Sequence, residues 1–168
     1  LTPSLSPAQD FIRYYPSPGV AFVTGGSIAI GSGAMPGPVG GGTYSGDGYN
    51  IAIGTRACAA NTTGQCTAVG FEAGKTNGAG NDGVITAFGW QALRLNTTGH
   101  ATAFGNAALR NNTDSESAAF GDEAGGQNTT GTMAALGYYA GWGNVTGDVT
   151  AVGYQAGRGS DGDNTMTL

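Results

Sequence analysis

The chain has 168 residues, 33 of them glycine, with only 10% charged residues and a formal net charge of −5. Glycine makes up roughly a fifth of the chain, against about 7% in ordinary proteins, so the composition is unlike that of a globular domain. The chain has no Gly-X-Y triplet repeat, which excludes collagen. Its apolar residues recur at regular intervals, which excludes disorder. The negative net charge argues against a nucleic-acid or anionic-membrane partner. The sequence contains no run of 18 apolar residues, so it predicts no membrane-spanning helix.

Residues 1–27 do not fit the pattern that governs the rest of the chain. They contain aromatic pairs, a Pro16-Ser17-Pro18-Gly19 turn and a short apolar stretch. We expect this segment to cap the first coil or to join it to a preceding piece of a longer chain, because the open end of a solenoid is a bare sheet edge. The alternative is a docking strand that joins subunits end to end.

Residues 28–158 consist of a repeat in which a short apolar run ends in a glycine. We call these residues the anchor glycines: Gly31, Gly54, Gly70, Gly89, Gly105, Gly121, Gly137 and Gly153. The last four intervals between them are 16 residues, and the first three are 23, 16 and 19. A repeat of this period is typical of a solenoid, and the surplus residues in the longer intervals predict surface loops.

Side-chain type is fixed at several positions of the repeat. A large apolar residue stands directly before each anchor glycine, and asparagine recurs seven residues after the anchor glycine, as at Asn61, Asn96, Asn112, Asn128 and Asn144. Alanine stands three residues after every anchor glycine, and also two residues before it, at Ala29, Ala52, Ala68, Ala87, Ala103, Ala119, Ala135 and Ala151. Glycine and asparagine accept left-handed backbone conformations, so they predict the turns.

Sixteen residues fit one coil of two short strands and two tight turns, whereas the frequent glycines break any helical apolar stripe. The sequence therefore predicts an all-β fold, a parallel β-roll or β-solenoid of about eight coils of about 16 residues, followed by a tail at 159–168. Both faces of the main strand are largely apolar, and a face left in water would be polar. We expect another copy of the chain to cover the outer face, most simply in a parallel homotrimer.

The repeat unit resembles that of bacteriophage and other viral tail fibres, and is similar to the YadA-like head of trimeric autotransporter adhesins. The match rests on Ile51-Ala52-Ile53-Gly54 with Ala57 and Asn61, on Thr102-Ala103-Phe104-Gly105 with Ala108 and Asn112, and on Thr150-Ala151-Val152-Gly153 with Ala156. The resemblance covers about residues 28–158 and implies a left-handed, trimeric β-roll used in attachment. YadA-like head repeats are commonly 14 residues with a serine-rich second half, so the 16-residue unit with Asn-Thr-Thr-Gly favours the tail-fibre side.

Aromatic and basic side chains provide the candidate binding residues. The position after the anchor glycine holds Phe71, Trp90, Tyr138 and Tyr154, and Tyr139 follows it in one coil. Five residues after the anchor glycine stand Lys75, Arg94, Arg110, Trp142 and Arg158. Aromatic faces suit sugars, and a basic column suits an acidic polysaccharide; the alternatives are packing between coils or subunits and a merely solubilising surface.

Chemistry-bearing groups are sparse, so we expect no enzyme, no catalytic residue, no metal site and no cofactor. No base stands near a nucleophile, and Cys58 and Cys66, eight residues apart, form either a disulfide or nothing. The predicted function is a structural and host-attachment module of a phage tail fibre or tail spike in the virion, with copies of itself, other virion tail proteins or host polysaccharide as partners. The alternatives are the head of a bacterial adhesin at the cell surface, and the subunit of an extracellular filament.

Overall fold

A computed structural model describes residues 21–24, 27–35, 50–61, 65–77, 84–97, 99–113, 116–129, 131–159 and 165–168. This part of the chain contains fifteen strands, β1 to β15, and no helix. The proposed cap at residues 1–27 lies outside the described residues except for residues 21–24 and Ser27, and residues 160–164, half of the 159–168 tail, also lie outside them.

Ten strands form one large sheet in the order β1-β2-β3-β5-β7-β9-β11-β13-β14-β15. All neighbouring strands in this sheet are parallel except β1 and β2, which are antiparallel. β1 is therefore the edge strand and runs opposite to the other nine strands. In the same order, these strands are β1 Ala21–Thr24, β2 Ser27–Ile30, β3 Ile51–Ile53, β5 Cys66–Val69, β7 Ile85–Phe88, β9 Ala101–Phe104, β11 Ser117–Phe120, β13 Met133–Leu136, β14 Val149–Val152 and β15 Thr165–Thr167.

Five two-residue strands form a second, smaller parallel sheet in the order β12-β10-β8-β6-β4. These strands are β4 Ala60–Asn61, β6 Thr76–Asn77, β8 Leu95–Asn96, β10 Asn111–Asn112 and β12 Gln127–Asn128. Because the chain alternates between the two sheets, each repeat makes one coil, and the parallel β-solenoid predicted from the sequence is confirmed. About six turns lie between β3 and β14, slightly fewer than the eight coils expected.

The register of the large sheet stacks like residues on one another. Ala103 pairs with Ala87 on one side and with Ala119 on the other, and Phe104 pairs in the same way with Phe88 and Phe120. The alanine two residues before each anchor glycine is buried, with at most 3% of its surface exposed. The alanine column therefore faces the interior, where a methyl group is small enough to let the two sheets approach each other.

In the coils from Gly54 to Gly121, volume is balanced across the interior between the residue four after the anchor glycine and the first residue of the next strand. A Cβ added to Gly125 would lie 2.6 Å from Met133 Sδ, and one added to Gly74 would lie 2.9 Å from Ile85 Cδ1. Leu109, by contrast, is followed by the small Ser117. Cys58 and Cys66 occupy the same pair of positions in their coil and form a disulfide with a Cα–Cα distance of 6.3 Å.

A ladder of buried asparagines runs through the small sheet. The Nδ2 of each member donates to the Oδ1 of the preceding one, over 3.2 Å from Asn77 to Asn61, 3.1 Å from Asn96 to Asn77 and 2.8 Å from Asn112 to Asn96. Asn128 and Asn144 continue the ladder. Asn77 also stands seven residues after an anchor glycine and is a member that the sequence analysis missed.

Candidate binding surfaces

The outer face of the large sheet carries a continuous apolar column. Each member precedes an anchor glycine and points away from the interior, and the column comprises Ile30, Ile53, Val69, Phe88, Phe104, Phe120, Leu136 and Val152. The rings of Phe88, Phe104 and Phe120 stack in parallel with centroids 4.9 and 5.2 Å apart. Leu136 is 53% exposed and Phe120 is 43% exposed, so one chain alone leaves this outer column in water.

The turn that follows the anchor glycines carries the Lys and Arg residues that the structure describes. The chain has six Lys and Arg residues. Arg13 lies outside the described residues, and the other five all lie on this turn edge: Arg56, Lys75, Arg94, Arg110 and Arg158. On the opposite turn edge stand Glu116 and Asp148, where the Thr132 hydroxyl and backbone N–H both donate to Asp148 and lower the pKa of its carboxyl. The two edges therefore differ in charge.

Three of the basic residues surround one buried carboxylate. Glu72 Oε1 lies 2.9 Å from Lys75 Nζ and 3.3 Å from Arg56 Nη1, and Oε2 lies 2.8 Å from Arg94 Nε. Gln91 Nε2 also donates to Oε2, over 3.2 Å. The Glu72 side chain is only 6% exposed, whereas its three cationic partners remain 26 to 59% exposed. Arg94, predicted as a ligand-binding residue, is therefore also part of an internal ion-pair network.

This network should make stability depend on pH. Hydrogen bonds from Lys75 and Arg94 lower the pKa of Glu72 from 4.5 to about 2. A depressed carboxyl pKa stabilises the folded state fully above the unfolded value, and that contribution disappears as the pH falls from 4.5 through 2. We expect Glu72→Gln to cost about 1–2 kcal/mol at pH 7, after allowance for screening of the exposed cations, and almost nothing near pH 2.

Urea unfolding of the native and Glu72→Gln proteins at pH 7 and at pH 2 measures the loss of unfolding free energy at each pH. Glu123→Gln is the matched control, because Glu123 also stands two residues after an anchor glycine but contacts the Tyr139 side chain rather than a cation. We expect the control to change the free energy of unfolding by less than about 0.5 kcal/mol. An equal loss for Glu72→Gln at the two pH values would show that the ion pairs do not stabilise the fold.

The predicted aromatic residues form two separate groups along this edge. In the lower group, Trp90 stacks on Phe71 with centroids 6.3 Å apart, and both rings are more than 40% exposed. At the same position in the next two coils stand Asn106 and Asp122, which hydrogen-bond to each other over 2.8 Å. The aromatic ladder is therefore interrupted, and Trp90 lies three coils, or about 14 Å by strand spacing, from the next aromatic ring of that position.

The upper group brings together four of the predicted aromatic residues and one arginine, and we call it the upper aromatic cluster: Tyr138, Tyr139, Trp142, Tyr154 and Arg158. The rings of Tyr138 and Tyr154 stack in parallel at 5.5 Å, and Tyr139 meets Tyr138 edge-on at 4.6 Å. The Arg158 guanidinium lies 5.2 Å from the ring centres of both Tyr139 and Trp142.

Contacts below the upper aromatic cluster hold it in place. A hydrogen bond with the Glu123 carboxylate, together with burial and the nearby negative charge, raises the pKa of Tyr139. The indole of Trp142 covers Gly126 of the preceding coil, where a Cβ would lie 2.9 Å from the indole Cδ1. Trp142 therefore packs between coils with one edge and contacts Arg158 and Tyr139 with its ring.

No group of three or more His, Cys, Asp or Glu side chains that could hold a metal ion occurs in the described part of the chain. Within the same residues, no helix is long and apolar enough to cross a membrane. Comparison with known protein families, with curated proteins and with solved structures finds no match to this chain.

Proposed function

We propose that this chain is the structural and host-attachment module of a phage tail fibre or tail spike, in which three copies associate side by side through their outer columns. The observation that carries the proposal is the continuous, exposed apolar column on the outer face of the large sheet. The resemblance of the repeat unit to viral tail-fibre repeats supplies the functional class and the threefold arrangement.

Hydrophobic burial favours association along this face. Burying a large apolar side chain fully contributes about 1.5–3 kcal/mol, so removing the exposed half of Phe120 or Leu136 from water contributes about 1 kcal/mol each. The same contribution recurs in every coil because the register places the members of the column above one another. A repeated, weak contact of this kind gives a long, straight interface and a stiff fibre.

Closed symmetry accounts for the proposed trimer. In an arrangement around an axis parallel to the stack, each outer face meets its neighbours and none is left for open-ended aggregation. A parallel arrangement also keeps the stacked phenylalanines of all three copies at the same height. The turn edge with its aromatic and basic side chains then remains available for attachment, because it follows the strand rather than lying on the outer face.

Replacing Phe104 by lysine should dissociate the oligomer. A lysine in the middle of the outer column would bring one charge from each copy into an apolar interface, where an unpaired charge is strongly unfavourable. We expect sedimentation equilibrium to give a trimer mass for the native chain at micromolar concentration. The variant should associate at least about 100-fold more weakly while keeping its far-UV circular dichroism spectrum.

Gln127→Lys is the matched control, since Gln127 lies on the small sheet and the substitution adds the same charge. We expect it to leave the trimer unchanged. A native chain that sediments as a stable monomer would refute the proposed association. A trimer that shows no binding to host cells would reduce the proposal to a spacer segment of the fibre.

A further inference from the structure

We propose that the upper aromatic cluster binds a carboxylate-bearing polysaccharide, with sugar rings stacked on Tyr154 and Tyr138 and a carboxylate paired with Arg158. This inference rests on the proposed attachment function and names the class of ligand that the attachment module recognises. It is carried by the geometry of the cluster, by the state of Arg158 and by the distribution of charge along the turn edge.

The aromatic part of the cluster offers a flat, exposed platform. Tyr154 is 74% exposed and Tyr138 is 44% exposed, and their rings lie almost parallel, with 10° between the planes. Edge-on contact with Tyr139 fixes the ring of Tyr138 from the side. A rigid aromatic surface with polar hydroxyls at its rim suits the apolar face of a sugar ring and the hydroxyl groups around it.

Arg158 is oriented but carries no counter-charge within the described residues. Its guanidinium lies against the rings of Tyr139 and Trp142, at 5.2 Å from each centre, which restricts its orientation through cation–π contact. The residue is exposed, and the salt bridges of the described part involve Glu72 and other cations, not Arg158. A guanidinium held in this way presents a donor fork that matches a carboxylate.

The charge pattern favours an acidic ligand over a neutral one. The chain as a whole has a net charge of −5, yet Lys75, Arg94, Arg110 and Arg158 stand at the same position of their coils on one edge. Of these, Arg158 adjoins the aromatic platform and forms no salt bridge within the described residues. A ligand carboxylate therefore finds its counter-charge at the upper aromatic cluster, whereas Arg110, three coils below, lies outside the site.

The same pattern disfavours a nucleic acid. Tight phosphate-backbone binding requires several free cations, because each neutralised phosphate contributes through counterion release. Lys75 and Arg94 already pair with Glu72, so the edge offers few uncommitted cations. Asp122 and Glu123 add negative charge directly below the cluster, which repels a run of phosphates more than it repels a single carboxylate held at Arg158.

Titration with a defined oligomer of galacturonic acid tests the site, with the fully methyl-esterified oligomer as the neutral probe. We expect calorimetry to show binding of the acidic oligomer, at least tenfold weaker binding of the ester, and at least tenfold weaker binding after Arg158→Gln or Tyr154→Ala. Arg110→Gln is the control: it removes the same charge from the same position three coils below, where the described residues show no cation–π contact, and should change the affinity less than twofold.

Several results would overturn the proposal. Equal binding of the ester, equal loss in the Arg110→Gln and Arg158→Gln proteins, or absence of binding by the native chain would each exclude a carboxylate site at the cluster. Equal or tighter binding of a single-stranded oligonucleotide would assign the edge to nucleic acid instead. Sedimentation of the same samples separates the two proposals, because an intact trimer that does not bind the oligomer contradicts only the ligand assignment.

Discussion

Gly105→Ala is expected to destabilise the fold by about 3–5 kcal/mol, enough to unfold a marginally stable domain. Gly105 has a φ of 138°, in a region that residues with a side chain scarcely enter. A Cβ at this position would also lie 2.6 Å from the carbonyl carbon of Gly121 in the next coil. That neighbour is backbone and is itself fixed in the stack by the hydrogen bond from its N–H to the Phe104 carbonyl, so it cannot move aside.

Gly153→Ala separates the two causes of this effect. Gly153 is also an anchor glycine and has a comparable φ, of 123°, but the atoms nearest to an added Cβ are 3.9 Å away, in ordinary contact. We expect this variant to lose only about 1–2 kcal/mol, the cost of placing alanine in this backbone conformation. Urea unfolding followed by circular dichroism gives both values. Equal losses for the two variants would show that backbone conformation alone, without close approach of the coils, explains the anchor glycines.

The sequence predicted where the anchor glycines lie but not the main reason for them. Their regular spacing and conformational freedom indicated turns, and the structure has turns there. The close approach of one glycine to the carbonyl of the next coil exists only once the coils are stacked, so no property of a single repeat reveals it. The same contact recurs at Gly54, Gly70, Gly89 and Gly121.

The second residue after the anchor glycine shows how stacking overrides local preference. This position adopts a left-handed φ between 52° and 58° at Arg56, Glu72, Gln91, Ala107, Glu123, Tyr139 and Gln155. Most of these residue types do not favour that region, so their sequence gives no turn signal. Each N–H donates to a carbonyl of the preceding coil, as Gln91 does to Phe71 over 2.8 Å, and these bonds hold the conformation.

For the candidate binding residues, the sequence predicted the position of each residue in the repeat but not the residues that it contacts. The spacing correctly placed Arg94 and Arg158 at equivalent points of their coils. It did not show that Arg94 reaches back to Glu72 in the preceding coil, or that Arg158 lies against Tyr139, because these contacts connect different positions of neighbouring repeats. Trp142, by contrast, holds the same position as Arg158 in the preceding coil and contacts it directly. The interior balance of large and small residues was visible in the sequence, in pairs such as Gly125 with Met133, but becomes interpretable only when the two positions are known to meet.

The asparagines of the small sheet differ most from the sequence prediction. A substitution at Asn112 tests whether their hydrogen-bonded ladder stabilises the fold. The sequence assigned these asparagines to turns, whereas Asn112 is fully buried, donates to Asn96 over 2.8 Å and accepts from Asn128 over 2.9 Å. Asn112→Ala should cost about 2–4 kcal/mol, because it leaves a cavity and removes the donor that satisfies the Asn96 carbonyl oxygen. Urea unfolding measures the loss.

Asn111→Ala is the matched control for this ladder. Asn111 is adjacent on the same strand but half-buried with an outward side chain, so its loss should cost less than about 0.5 kcal/mol. Asn112→Asp then tests the direction of the hydrogen bonds at nearly constant volume. A buried carboxylate can accept from Asn128 but cannot donate to Asn96, and it adds an unpaired charge, so we expect a loss at least as large as that of alanine. An aspartate variant as stable as the native chain would mean that the asparagines fill space without forming a directional ladder.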